Sequence, residues 1–244
     1  MPAWLLILLC VLLSAGCGKP PRPVDEKTLW DCSSSNPCDA RAARAAAVGF
    51  LNRNNVPGSS FEVYVVGCDI GDVAKLYEIK VPEWGPGATR RKKQWRDAEL
   101  ERLKGLTLPA PTRCSAISAS LWSVARLFGE RDGTVRRLLL VSDLREVDAS
   151  LRLNFEKVIP PPQRFVERLR KAGLLANLAS IDVAVCGVHN RRTPDAPKWS
   201  AERSRQRDDA WTALLAAMGA HDVRLSESCD FGPSRPDLVA RAIP

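Results

Sequence analysis

The chain has 244 residues, 45% of them apolar, and a formal net charge of +8. That length suffices for one domain with a full core, and neither an internal repeat nor a second domain boundary stands out. The basic surplus draws polyanions toward the molecule, while the apolar run at residues 4–13 is too short to span a bilayer as a helix.

That run, "WLLILLCVLL", passes into the small residues "SAGC", the form of a secretory signal that is removed from the mature chain. Its ending resembles the lipobox of bacterial lipoproteins, with two departures: no Lys or Arg precedes the run, and Ser14 stands where Leu is usual. The resemblance implies a signal peptide over residues 1–16 and acylation of Cys17, with several acyl chains giving stable membrane anchoring. Gly18 after the cysteine, in place of Asp, implies sorting to the outer rather than the inner membrane, with the periplasmic side as the expected face. Residues 17–29 are polar and proline-rich and read as a tether, which leaves 30–244 as a single domain. No charged side chain lies in residues 1–16, so the mature chain keeps its charge of +8.

Beyond the tether the elements alternate. Residues 40–53 are alanine-rich and predict a helix, closed by the turn composition of "NNVPGSS". Residues 61–70 have the β-branched and aromatic content of a strand, and 74–84 alternate like a second one. Residues 90–106 form a charged helix, and 115–129 an apolar one ending at Gly129. "RRLLLVSD" (136–143) is apolar throughout, as a central parallel strand should be. A helix at 162–179, a strand at 180–189, a helix at 200–220 and a short strand at 221–228 complete the chain. Strands separated by helices predict a doubly wound, mostly parallel α/β sheet, whose sites gather at the carboxyl ends of the strands. Asp69 and Asp143 both stand at predicted strand ends.

Six cysteines remain after Cys10 and Cys17 are set aside: Cys32, Cys38, Cys68, Cys114, Cys186 and Cys229. An even count in an oxidising compartment predicts disulfides, with fifteen pairings open. "CSSSNPC" closes a short loop, making Cys32–Cys38 the natural local bridge. A zinc site is not indicated, since no CxxC occurs and His189 and His221 lie far from any cysteine pair.

Four segments, "VYVVGCDIGDV", "CSAISASL", "LLLVSDLRE" and "IDVAVCGVH", follow one another in the order of a known family. From about residue 61 to 226 the chain resembles a von Willebrand factor A-type domain, which implies a metal-ion-dependent adhesion site. The family's first strand ends in Asp-x-Ser-x-Ser, a later helix opens with Thr, and the central strand ends in Asp. By this resemblance Asp69 is the leading Asp, Ser115 takes the Thr position and Asp143 is the last ligand. Gly71 and Val73 occupy the two serine positions and Leu144 replaces the usual Gly, so the implied site is incomplete, with Asp72 as a substitute ligand. A hard cation such as Mg²⁺ accepts several oxygen ligands and keeps waters, and without one the two carboxylates repel. The same resemblance makes neighbours of the loops that carry Cys68 and Cys114, and leaves Cys186–Cys229 as the last pair.

Neither GxxxxGK[ST] nor GxSxG occurs. A hydrolase built on a Ser-His-Asp arrangement would have to use His189 or His221, with Ser142 and His189 near the same predicted edge, and the expectation is a non-enzymatic module that binds a protein partner in an envelope assembly. A polyanion- or surface-binding role is the alternative. It would use the run Arg90, Arg91, Lys92 and Lys93 together with "NRRTPDAPKWSAERSRQR" (190–207), with Trp95 and Trp199 interleaved. No nucleic-acid recognition motif supports a nucleic-acid partner.

Overall fold

Local chemistry sets where the helices start. The Asp39 carboxylate accepts the Arg41 backbone N–H at 2.8 Å, and the Ser200 hydroxyl accepts that of Arg203 at 3.2 Å, each satisfying an otherwise orphaned donor. Pro162 opens a third helix, where its missing N–H costs nothing. The structure, a computed structural model, describes residues 21–36, 39–54, 56–129, 132–187, 199–221 and 223–226. Residues 1–16, Cys17, Cys38, His189 and Cys229 lie outside them.

The described elements are β1 (Val24–Trp30), α1 (Ala40–Arg53), β2 (Ser60–Val65), β3 (Ala74–Lys80), α2 (Thr89–Lys104), α3 (Ile117–Ala125), β4 (Val135–Val141), β5 (Val147–Asp148), β6 (Leu153–Asn154), α4 (Pro162–Lys171), β7 (Asp182–Cys186), α5 (Ala201–Ala217) and β8 (Arg224–Ser226). Six strands form one sheet in the order β3-β2-β1-β4-β7-β8. All its neighbours pair in parallel except β3, which runs antiparallel to β2. β5 and β6 form a small separate hairpin.

Helices cover both faces of the sheet. On one, α3, α4 and α5 bring Ile117, Leu121, Phe165 and Trp211 against Leu29, Leu140 and Val185. On the other, α1 and α2 bring Phe50 and Leu103 against Phe61, Ile79, Leu139 and Val141. Each such side chain contributes about 1.5–3 kcal/mol by leaving water. The result is the doubly wound, mostly parallel α/β fold that the alternation of elements predicts.

The largest correction concerns residues 17–29. The composition predicts a tether to residue 29, yet the chain from Val24 onward is β1, at the centre of the sheet and paired on both sides. The domain therefore starts before residue 30. Three charges in this strand are neutralised within the fold. Lys27, 4% exposed, pairs with Asp25 at 3.1 Å and with Glu62. Glu26, 1% exposed, lies 3.5 Å from Arg53 and 4.0 Å from Arg137. Other boundaries shift as well. The strand predicted to reach residue 70 stops at Val65, and the helices predicted over 115–129 and 162–179 are Ile117–Ala125 and Pro162–Lys171. Gly173, at φ 71°, turns the chain out of α4. Among the described residues no helix is long and apolar enough to cross a membrane.

Candidate metal centre

β1 delivers Asp31 to the carboxyl edge of the sheet, where its N–H donates to Val141 O at 2.9 Å. The next five residues, "CSSSN", curl back over the edge. The Asn36 side chain donates to Asp31 O at 2.9 Å. Cys32 O accepts from Thr112 N–H at 2.9 Å, and Ser34 N–H donates to Thr112 O at 2.8 Å, fastening this loop to the segment that leads into α3.

Asp31 is the hub. Its Oδ1 accepts the Ser115 hydroxyl at 2.8 Å and its Oδ2 the Ser142 hydroxyl at 2.7 Å. Ser33 also bonds its carboxylate, and the Ser33 and Ser35 hydroxyls lie 3.1 Å apart. Burial, followed by the neighbouring charge of Asp143, pushes Asp31 up to about 7 against the pull of the three serines.

Asp143 is 4% exposed. Burial raises its pKa, opposed by the Arg145 charge, the Arg145 N–H, the Ser35 hydroxyl and the Arg207 charge. Its Oδ1 accepts the Arg145 N–H at 3.1 Å. Its Oδ2 is 3.3 Å from Arg145 Nε, yet is buried with no hydrogen-bond donor in position among the described residues. Two neighbouring carboxylates and three serine hydroxyls, with a buried Asp143 oxygen that faces the Arg145 guanidinium but accepts no hydrogen bond, offer the oxygen chemistry that could hold a hard divalent cation with waters in its remaining positions. The residues that would hold it are Asp31, Ser33, Ser35, Ser115 and Asp143.

The sequence-predicted residues are distributed as follows. Ser115 and Asp143 reach this edge, the former 1% exposed. Asp69 does not take the leading position. It is exposed in a turn over residues 69–72, beyond the end of β2. Asp31 holds that position because β1, not β2, is the central strand beside β4. Asp72 closes the same turn, its Oδ2 accepting Cys68 N–H at 3.2 Å. The missing serines are thus present as Ser33 and Ser35, and "DCSSS" spells Asp-x-Ser-x-Ser outright. Ser142 is fully buried, with its hydroxyl given to Asp31.

A disulfide joins Cys68 to Cys114, tying the turn after β2 to the residue before Ser115. Cys32 and Cys186 are disulfide-bonded too, while Cys38 and Cys229 lie outside the described residues. Two further features escaped sequence reasoning. Glu146, pushed up to about 8 chiefly by burial, accepts the Ser118 N–H at 3.0 Å and the Ser118 hydroxyl at 2.8 Å, capping α3 from another segment. Trp199 lies against three guanidinium groups, 4.6 Å from those of Arg145 and Arg203 and 5.8 Å from that of Arg207. Arg207 donates to Asp143 O at 3.0 Å, bracing the loop from behind.

The strand order, parallel throughout except for β3, with helices on both faces, makes a von Willebrand A-like α/β fold. No family model matches the chain, and no curated protein matches it. Among solved structures the chain is similar to an aerotolerance-related membrane protein from Bacteroides fragilis NCTC 9343, with 13% identity and a TM-score of 0.41 over 85% of this chain and 92% of that one. It is similar to the PilB minor pilin from Streptococcus sanguinis, with 8% identity and a TM-score of 0.48 over 87% of this chain and 59% of that one. It is also similar to the SpRpn10 VWA domain, with 13% identity and a TM-score of 0.38 over 86% of this chain and 91% of that one.

Proposed function

We propose that this chain is a non-enzymatic protein-interaction module of the cell envelope, anchored through acylated Cys17. It holds a divalent cation, Mg²⁺ being the reference case, at Asp31, Ser33, Ser35, Ser115 and Asp143. An acidic side chain of a protein partner completes the cation's coordination. The observation that carries this reading is the convergence of the Asp31 and Asp143 carboxylates, both buried, with the Ser33, Ser35 and Ser115 hydroxyls. A buried carboxylate pair costs stability unless a positive charge joins it, and the half-buried Ser35 marks the side from which an outside ligand would approach. Support for the anchor is the sequence "SAGC" alone.

Thermal unfolding of the full chain, in EDTA and then in millimolar Mg²⁺ or Mn²⁺, tests the cation. At one hundred times its dissociation constant a native-state ligand adds about 2.7 kcal/mol. The wild type should shift upward by several degrees, while Asp31→Ala and Asp143→Ala should not shift and Asp69→Ala should shift like the wild type. Equal melting temperatures with and without cation would overturn the reading.

A further inference from the structure

The opposite end of the sheet carries a surface of different chemistry. Val81 N–H donates to Ser59 O at 2.8 Å, and Gly58 N–H donates to Val81 O at 3.1 Å. A Cβ on Gly58 would lie 3.9 Å from Pro23 and 4.0 Å from Glu83. The end of β3, the start of β2 and the entry of the chain into β1 therefore share the amino edge of the sheet. α1 follows β1 and precedes β2, so it descends from the carboxyl edge to the amino edge. Arg96 of α2 bonds Asn52 near the bottom of α1, whereas Arg44 near its top reaches Leu106 O, just past α2, at 2.9 Å. α2 thus starts at the amino edge, and Arg90, Arg91, Lys92 and Lys93 sit there beside the point where the chain enters.

All four are exposed. The first turn of α2 has neither an acidic residue nor a capping side chain, so these cations stand at the positive pole of the helix dipole, an arrangement that does nothing for the helix itself. Lys93 pairs with Asp97 at 2.7 Å, and Arg90, Arg91 and Lys92 make no ion pair among the described residues. Beside them Trp84 and Trp95, both half-buried, meet edge to face with ring centroids 5.8 Å apart, and Lys92 Nζ lies 6.0 Å from the Trp84 ring.

We propose that this face, Trp84 and Trp95 with Arg90–Lys93, rests on an anionic phospholipid surface. Indole rings favour the boundary between headgroups and acyl chains, and clustered Lys and Arg are drawn to anionic headgroups. The path of the chain argues for the same occupant. From Val24 back to Cys17 is seven residues, at most about 25 Å when extended, so the Cys17 anchor of the proposed function, on which this step rests, would hold this edge within reach of the bilayer. The carboxylate edge then faces away from it. The surface is independent of the cation site, and either can fail without the other.

The test uses the full chain and its partitioning onto vesicles of phosphatidylcholine, or of phosphatidylcholine and phosphatidylglycerol in equal parts. The apolar segment gives both lipids a common background, and the quantity read is the gain on adding phosphatidylglycerol. That gain should be about tenfold or more and should collapse at about 0.5 M salt. Replacing Arg90, Arg91, Lys92 and Lys93 together by Ala should abolish it. Replacing Lys157, Arg164, Arg170 and Lys171 by Ala, the same charge change elsewhere on the surface, should leave it. Trp84→Ala with Trp95→Ala should weaken partitioning onto anionic vesicles without removing its salt dependence. Residues 82–96 should gain protection from hydrogen exchange on anionic vesicles only. Equal partitioning onto both lipids, a gain that survives loss of Arg90–Lys93, or binding to a soluble polyanion without any lipid-dependent gain would each overturn the proposal.

Discussion

Asp31 and Glu146 are carboxyl groups held where ionisation is unfavourable, at about 7 and about 8 respectively. Each binds its proton more tightly in the fold than in the open chain, where carboxyls titrate near 4. Their contribution to stability is therefore complete below about pH 4 and is lost as pH rises through 7 and 8. Metal-free protein should melt at a higher temperature at pH 5 than at pH 8, and Asp31→Asn should flatten part of that slope. Added cation competes with the proton, so its stabilising shift should be larger at pH 8, a reversal that calorimetry at both pH values would detect. Leu144 offers a second check at this scale. It is fully buried yet sits at φ 61°, in the left-handed region, a strain of about 1–3 kcal/mol. Gly normally costs about 1 kcal/mol more than Ala within ordered structure. Here Leu144→Gly should be at least as stable as Leu144→Ala in denaturant unfolding, because only glycine relieves the strain.

At the scale of elements, the disulfide between Cys68 and Cys114 closes a separation of 46 residues. The chain-entropy account assigns such a loop about 4 kcal/mol. Cys68→Ser with Cys114→Ser should lower unfolding stability by up to that amount in chemical denaturation, and should weaken cation affinity by loosening the segment before Ser115. How legible each element is from sequence depends on where its charges are neutralised. β4 announces itself, because Leu138–Val141 need no partner to be apolar. β1 does not, because "VDEKTLW" is made fit for a sheet centre only by Glu62, Arg53 and Arg137, residues distant in sequence. With β1 hidden, "DCSSS" reads as a cysteine loop rather than a strand end, and the leading aspartate is displaced to Asp69. Ser115 and Asp143 are legible because each lies beside an apolar element that can be recognised alone. Glu146 and Arg145 leave no local trace, since their roles depend on contacts across the fold, whereas Arg203 and Arg207 stand in the same basic stretch as Trp199.

At the scale of the whole molecule, the Asp31–Asp143 cradle and the Arg90–Lys93 face occupy opposite edges of one sheet, and β1 runs the full distance between them. Its amino end receives the segment from the proposed anchor, and its carboxyl end carries the Asp31 loop. A pull between those ends is a load on a single seven-residue strand. Parallel ladders to β2 and β4 flank that strand on both sides, so the load acts along it and strains both rows of hydrogen bonds together, in shear, rather than unzipping them one at a time. The ion pairs of Lys27 and Glu26 cross-link the same strand to its neighbours and to α1. Pulled along this strand in a single-molecule force measurement, the domain should therefore resist more than it would if its ladders opened one bond at a time.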